Sequence, residues 1–219
     1  MLLISGFDAE VFFVVWTSVQ VSAVAIVLAA LLGVPLGLLI ALKQFRGRQA
    51  LLVVLNTSMA LPTVVVGLFF YAFLSRRGPL GELGMLFTPA GMSVGLFALA
   101  LPLVINLVLA AIQGLDPRLF LTCKLLGGTP NQQAWMILKE ARYGVMAAIV
   151  VAFGRVISEV GIAMMLGGNI KGFTRTMTTA IALETSKGEF ELGLALGIVL
   201  LSVAFAVNGL LFLLQRGKA

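Results

Sequence analysis

Residues 12–42 contain no charged side chain and are dominated by Val, Leu, Ile, Ala and Phe. A helix crossing the hydrocarbon core of a bilayer needs about 20 such residues. The run is therefore longer than a membrane requires, and the span it forms is expected to tilt or protrude. Gly33, Pro35 and Gly37 lie inside it and suggest a bend. Four more apolar runs follow, at 50–74, 91–112, 143–166 and 192–214. Pro62 interrupts the second and Pro102 lies inside the third. The pattern predicts an all-α integral membrane chain with about five transmembrane helices, organised as a single membrane domain over 1–219.

Composition removes the competing classes. Hydrophobic residues make up 60% of the 219 and charged residues only 11%, against about 25% charged in an ordinary soluble domain. A globule of this length has too little interior to hide that much apolar surface. A soluble enzyme, a disordered chain and a secreted disulfide scaffold are all excluded. Cys123 is the single cysteine and histidine is absent, so an intrachain disulfide, a histidine metal site and a histidine general base are excluded as well. No catalytic residue, metal ligand or cofactor is expected in this chain. No Lys or Arg precedes Lys43, so the first run lacks the basic flank of a cleavable signal and is expected to be a retained span.

The net charge of +6 is read as loop charge beside a membrane, not as a nucleic-acid footprint. Alternate loops carry it unequally. Lys43, Arg46, Arg48, Arg118, Lys124, Lys139, Arg142, Arg216 and Lys218 fall on one side; Arg76, Arg77, Lys171, Arg175 and Lys187 fall on the other. The richer side is expected to be cytoplasmic, which puts the N-terminus outside and the C-terminus inside. Asp8 and Glu10 weigh little in that rule.

Two connections are too long to be simple turns. Residues 113–142 hold two helix starts, Asp116-Pro117 and Thr129-Pro130, each a capping side chain followed by a proline. Gly127-Gly128 between them suits a helix stop. The segment reads as two short surface helices with a tight turn, either an interfacial hairpin or a docking surface. Residues 167–191 contain Gly167, Gly168, Asn169, Thr174, Arg175, Thr176, Thr178 and Thr179. Backbone N–H groups, hydroxyls and a guanidinium are donors that suit an oxyanion; the same residues would also serve an ordinary solvated loop. The stretch 178–183 is apolar enough for a partly buried short helix. Arg155 and Glu159 lie within the fourth apolar run, four residues apart and so on one helical face. Either they neutralise each other and fix packing, or they line an aqueous path, Arg155 attracting an anion and Glu159 restraining it. Met164 and Met165 either line a gate or simply pack. Gly33/Gly37 and Gly193/Gly197 have the spacing that lets helices approach closely.

The block 121–169, LTCKLLGGTPNQQAWMILKEARYGVMAAIVVAFGRVISEVGIAMMLGGN, resembles the permease subunit of ABC importers. That family carries a cytoplasmic pattern E-A-A, three residues, G, nine residues, I-x-L-P. Gly127 stands at its glycine and Ile137 at its isoleucine; Leu121, Thr122 and Cys123 replace E-A-A, and Lys139 and Glu140 replace L and P. The changes remove the glutamate through which the family makes a salt bridge and leave the helix–glycine–helix shape. The stretch LPTVVVGL at 61–68 and the run FGRVISEVGIAMMLGGNIKGFTRTMTTAIALETSKGEF at 153–190 are similar to the oxyanion importers of the molybdate and tungstate type, most of all to the tungstate permeases. The resemblance implies a transmembrane domain like that of molybdate and methionine permeases. It implies a second copy of the chain, two ATP-binding cassette subunits docked on Leu121, Thr122, Cys123, Gly127 and Ile137, and an extracytoplasmic substrate-binding protein. It places the chain in the cytoplasmic (inner) membrane among its lipids. Arg155, Glu159, Asn169, Arg175 and Thr176 become candidates for the pathway or its gate. ATP and Mg would belong to the partner subunit, because no G-x-x-x-x-G-K-[ST] loop occurs here. A molybdate or sulfate permease, or an ATP-independent anion channel or carrier, stands as the alternative. An intramembrane enzyme is disfavoured, since Arg155 and Glu159 make a poor hydrolytic pair.

Overall fold

The computed structural model describes residues 9–216, and every regular element among them is helical. Asp8 and Lys218, weighed in the charge argument, lie outside the described residues. The elements are α1 (Ala9–Leu42), α2 (Arg48–Met59), α3 (Thr63–Leu74), α4 (Pro89–Gln113), α5 (Pro117–Leu125), α6 (Pro130–Glu140), α7 (Arg142–Ile157), α8 (Gly161–Gly167), α9 (Met177–Lys187) and α10 (Phe190–Arg216), with a 3-10 turn at Gly81–Leu83. Three helices can cross a membrane alone: α1, α4 and α10. Two bent pairs, α2–α3 and α7–α8, are each apolar enough to be one broken span or a re-entrant loop, so the described residues hold three to five candidate spans.

Packing of α1 on α4 forms the spine. Val14, Ser18, Val21, Ala25, Ala29, Gly33, Gly37 and Ile40 make one buried stripe down α1 at steps of three and four residues, the geometry of a single helix face. Along α4 the answering face includes Leu96, Ala100, Val104, Ile105 and Val108. The two glycines of α1 lie against α4 with no room for a side chain. A Cβ at Gly33 would lie 2.9 Å from Val104 Cγ1, and one at Gly37 would lie 3.0 Å from Val108 Cγ1 and 3.1 Å from the Ile105 carbonyl oxygen. Around Gly197, by contrast, a Cβ would meet no atom within 4 Å among the described residues. The spacing of small residues is thus realised as close approach in α1, where α1 continues as a helix through Pro35.

The second apolar run breaks as Pro62 predicts, with 100° between α2 and α3. The fourth run departs from expectation. It is not one helix over 143–166 but α7 and α8, bent by 61° at residues 158–160. No proline is present there to announce it. Glu159 is the cause that the structure displays: its carboxylate accepts from Gly161 N at 2.9 Å and Ile162 N at 3.4 Å, capping the start of a new helix.

The two short helices expected in 113–142 are α5 and α6. Asp116 Oδ1 accepts from Arg118 N. Thr129 and Gln132 form a reciprocal capping box at the start of α6. Gly127 turns the chain with φ +72°. The partly buried helix anticipated at 178–183 is α9, longer at both ends than the apolar stretch.

Candidate functional site

The residues singled out in 153–179 meet where α9 begins against α1 and the α7–α8 break. Ser18 on α1 accepts from Met177 N at 2.7 Å and itself donates to the Val14 carbonyl. Thr178 Oγ1 donates to the Glu159 carbonyl oxygen at 2.9 Å. Thr176 caps α9 in a capping box with Thr179. Three separate segments are therefore held by hydroxyl hydrogen bonds inside an apolar bundle, where an unmet polar group is costly. The space left between Ser18, Ser22, Glu159, Thr176 and Thr178 is about 10 Å³. That is room for one water and not for a tetrahedral oxyanion.

Arg155 and Glu159 are paired, Nη1 to Oε2 at 2.8 Å. Their environments differ sharply: the Glu159 side chain is 3% exposed and that of Arg155 45%. Glu159 is spent on three donors, the guanidinium and two backbone amides. Arg155 shares an exposed face at the end of α7 with Val151 and the C-capping Ser158.

The donors of 167–176 are mostly engaged. Thr174 Oγ1 donates to the Gly167 carbonyl and accepts from Ile170 N, closing the loop on itself. Arg175 Nη1 reaches Glu10 Oε1 at 3.1 Å, and Lys171 Nζ reaches the other oxygen of the same carboxylate at 2.7 Å. Asn169 takes a left-handed conformation, φ +50°, which asparagine tolerates better than most residues. Its Oδ1 and Arg175 Nε are buried without a hydrogen-bond partner among the described residues. Glu10 and Ser18 were not among the candidates, and Thr178 was expected only as a hydroxyl donor of the loop. A polar cluster, Thr17, Ser18, Gln20 and Ser22, on an apolar run was the available signal for part of this.

At the α5–α6 hairpin, Ile137 is fully buried and Cys123 is buried. These hold the hairpin together and onto the bundle. Thr122 Oγ1 donates to the Arg118 carbonyl. Leu121, Leu125, Leu126 and Trp135 are all exposed, Leu125 to 86%. The last three were not among the expected docking positions, because motif matching follows the pattern's letters and not the outward face. Ala141 closes α6 and opens α7, so the hairpin is joined to the Arg155 helix by a single residue.

A family model described as binding-protein-dependent transport system inner membrane component matches residues 33–219. The chain is 41% identical over 216 residues to the tungstate uptake system permease protein TupB of Campylobacter jejuni, covering 99% of this chain and 90% of that one. It is 42% identical over 198 residues to a probable anion ABC transporter permease protein of Haloferax volcanii, covering 88% and 85%. The inward-facing MetNI methionine ABC transporter shares the fold, with a TM-score of 0.79 over 96% of each chain at 16% identity. The chain belongs to the binding-protein-dependent transport system inner membrane component family, and it is a membrane permease with the all-α fold of an ABC importer transmembrane domain.

Proposed function

We propose that this chain is the pore subunit of an ATP-driven importer of tungstate, and that it receives the oxyanion from an extracytoplasmic binding protein. The observation that carries the reading is near-full-length identity of 41% to a tungstate uptake permease. Arg155 gives it chemistry. A guanidinium 45% exposed in the last turn of apolar α7, at the bend of a broken apolar run, is too costly to leave against lipid. The α7 face bearing Val151, Arg155 and Ser158 therefore turns toward an aqueous path shared with a second copy of the chain, where the guanidinium attracts a dianion. Glu159 holds the guanidinium in place and limits its grip on the anion.

Two ATP-binding subunits dock on the α5–α6 hairpin through the exposed Leu121, Leu125, Leu126 and Trp135, and they bind ATP and Mg. Movement of the hairpin passes through Ala141 into α7 and is taken up at the bend around Glu159. This places the hairpin in the cytoplasm, with Glu10 and Lys171 outside. Thr176 and the α9 start form a closed constriction that must loosen for passage.

The test is reconstitution in liposomes with the ATP-binding subunit and binding protein, reading ATP-dependent tungstate uptake. Arg155→Met is expected to stay folded and to slow uptake by about tenfold or more, comparable with loss of a charge-assisted contact. Tungstate flux through the chain alone would instead favour an ATP-independent channel. Preferred uptake of molybdate or sulfate over tungstate would reassign the substrate.

A further inference from the structure

A second pocket, of about 340 Å³, opens between α1, α9 and α10. Its rim is formed by Glu10, Lys171, Arg175, Glu184 and Lys187, and its floor by apolar side chains including Val14, Leu192 and Leu196. Depth is set by the helices themselves. Glu10 stands at the first turn of α1, immediately before its apolar run, and Phe190 starts the apolar run of α10. Val14 lies about 6 Å further along α1 and Leu196 about 9 Å further along α10, at 1.5 Å per residue. With the hydrocarbon core beginning where these apolar runs begin, the rim would stand at the level of lipid headgroups and the floor at the level of the first acyl carbons.

The rim charges are already partly matched. Glu10 bridges Lys171 and Arg175, and Glu184 Oε1 accepts from Lys187 Nζ at 3.0 Å. Three cations face two carboxylates, leaving one positive charge over. Arg175 Nε is buried and lacks a hydrogen-bond partner among the described residues, and the side chains of Lys171 and Lys187 are 68% and 52% exposed, so their ammonium groups are accessible from outside the pocket. A free tetrahedral dianion suits this site poorly: the pocket is several times too large, half of it is apolar, and two carboxylates repel a doubly charged anion. A singly charged phosphodiester carrying acyl chains satisfies both halves.

We infer that this pocket is a binding site for an anionic phospholipid of the leaflet facing the N-terminal end of α1, with the phosphodiester among Lys171, Arg175 and Lys187 and an acyl chain over Val14, Leu192 and Leu196. Phosphatidylglycerol, with one net negative charge, fits the excess better than a zwitterionic lipid. The site is separate from Arg155 and does not depend on which anion the permease carries.

The experiment is titration of the delipidated full-length permease in detergent with dioctanoyl phosphatidylglycerol, followed by native mass spectrometry. One saturable lipid per chain is expected, bound more tightly than dioctanoyl phosphatidylcholine. Lys171→Gln with Lys187→Gln, both at exposed positions, is expected to weaken it by about tenfold, as loss of surface charge contacts to an anionic headgroup does. The melting temperature of the lipid-free variant serves as the folding control; if it falls, the single Lys171→Gln variant, which leaves Arg175 on Glu10, is titrated instead and must still weaken binding. Equal affinity of variant and wild type overturns the inference. So does equal binding of dioctanoylglycerol, which lacks the phosphate, or displacement of the lipid by millimolar tungstate or inorganic phosphate, which would mark the pocket as a site for a free oxyanion.

Discussion

Arg155 Nη1 lies 2.8 Å from Glu159 Oε2, although α7 ends between them at Ile157. The pair does not lie along a helix flank. It spans the end of one helix and the beginning of the next, and the buried member serves both the guanidinium and the amides of α8.

That division of roles predicts unequal mutants. Glu159→Ala leaves the Gly161 and Ile162 amides unmet in a buried place, which costs about 1–3 kcal/mol. Glu159→Gln keeps an acceptor for them and is expected to recover most of the loss. Arg155→Met leaves the buried Glu159 carboxylate with only its two backbone amides, so its stability cost falls on the carboxylate and not on the exposed guanidinium, and it is expected to be the more harmful change in transport. Thermal melts of the three variants in nanodiscs check this; equal losses for Glu159→Ala and Glu159→Gln would remove the capping role.

Thr178→Val preserves shape and removes the donor to the Glu159 carbonyl. The expected cost is about 1–3 kcal/mol for a buried unmet acceptor, felt locally. Hydrogen exchange should quicken at 177–180 while α4 stays protected. Unchanged exchange there would mean the hydroxyl does not anchor α9.

Gly37→Val places a branched side chain where a Cβ alone would be 3.0 Å from Val108 Cγ1. Overpacking of this kind costs about 1–3 kcal/mol. Val108→Ala in the same chain is expected to restore part of it, whereas Gly197→Ala, in open space, should change the melting temperature little. Failure of the rescue would show that the α1–α4 spacing is not set at this contact.

Gly127 has open space around it but φ +72°. Alanine there meets no clash and is still strained, by about 1–2 kcal/mol; asparagine is strained less. Gly127→Val is expected to loosen the α5–α6 hairpin and reduce co-purification of the ATP-binding subunit, with Gly127→Asn close to wild type. Equal recovery of the partner with Gly127→Val would separate the turn from docking.

Much of the architecture was legible along the chain because the bilayer imposes a length and forbids charge. The apolar runs, the break at Pro62, the capped starts at Asp116 and Thr129 and the stop at Gly127 are each encoded within a few neighbouring residues. Local signals of this sort act through backbone sterics and nearby hydrogen bonds, so position in sequence is enough to read them. What the tertiary structure decided is of another kind. Nothing near Glu159 marks it as the cap of a new helix; the bend follows from a carboxylate that finds two amides ahead of it and a threonine hydroxyl on α9 for its carbonyl. Likewise Arg175 reads as a free donor until Glu10, 165 residues away, is found beside it. Partners so distant in the chain are brought together only when the helices pack, because the enthalpy that holds a buried polar group depends on which neighbour arrives and not on which residue precedes it.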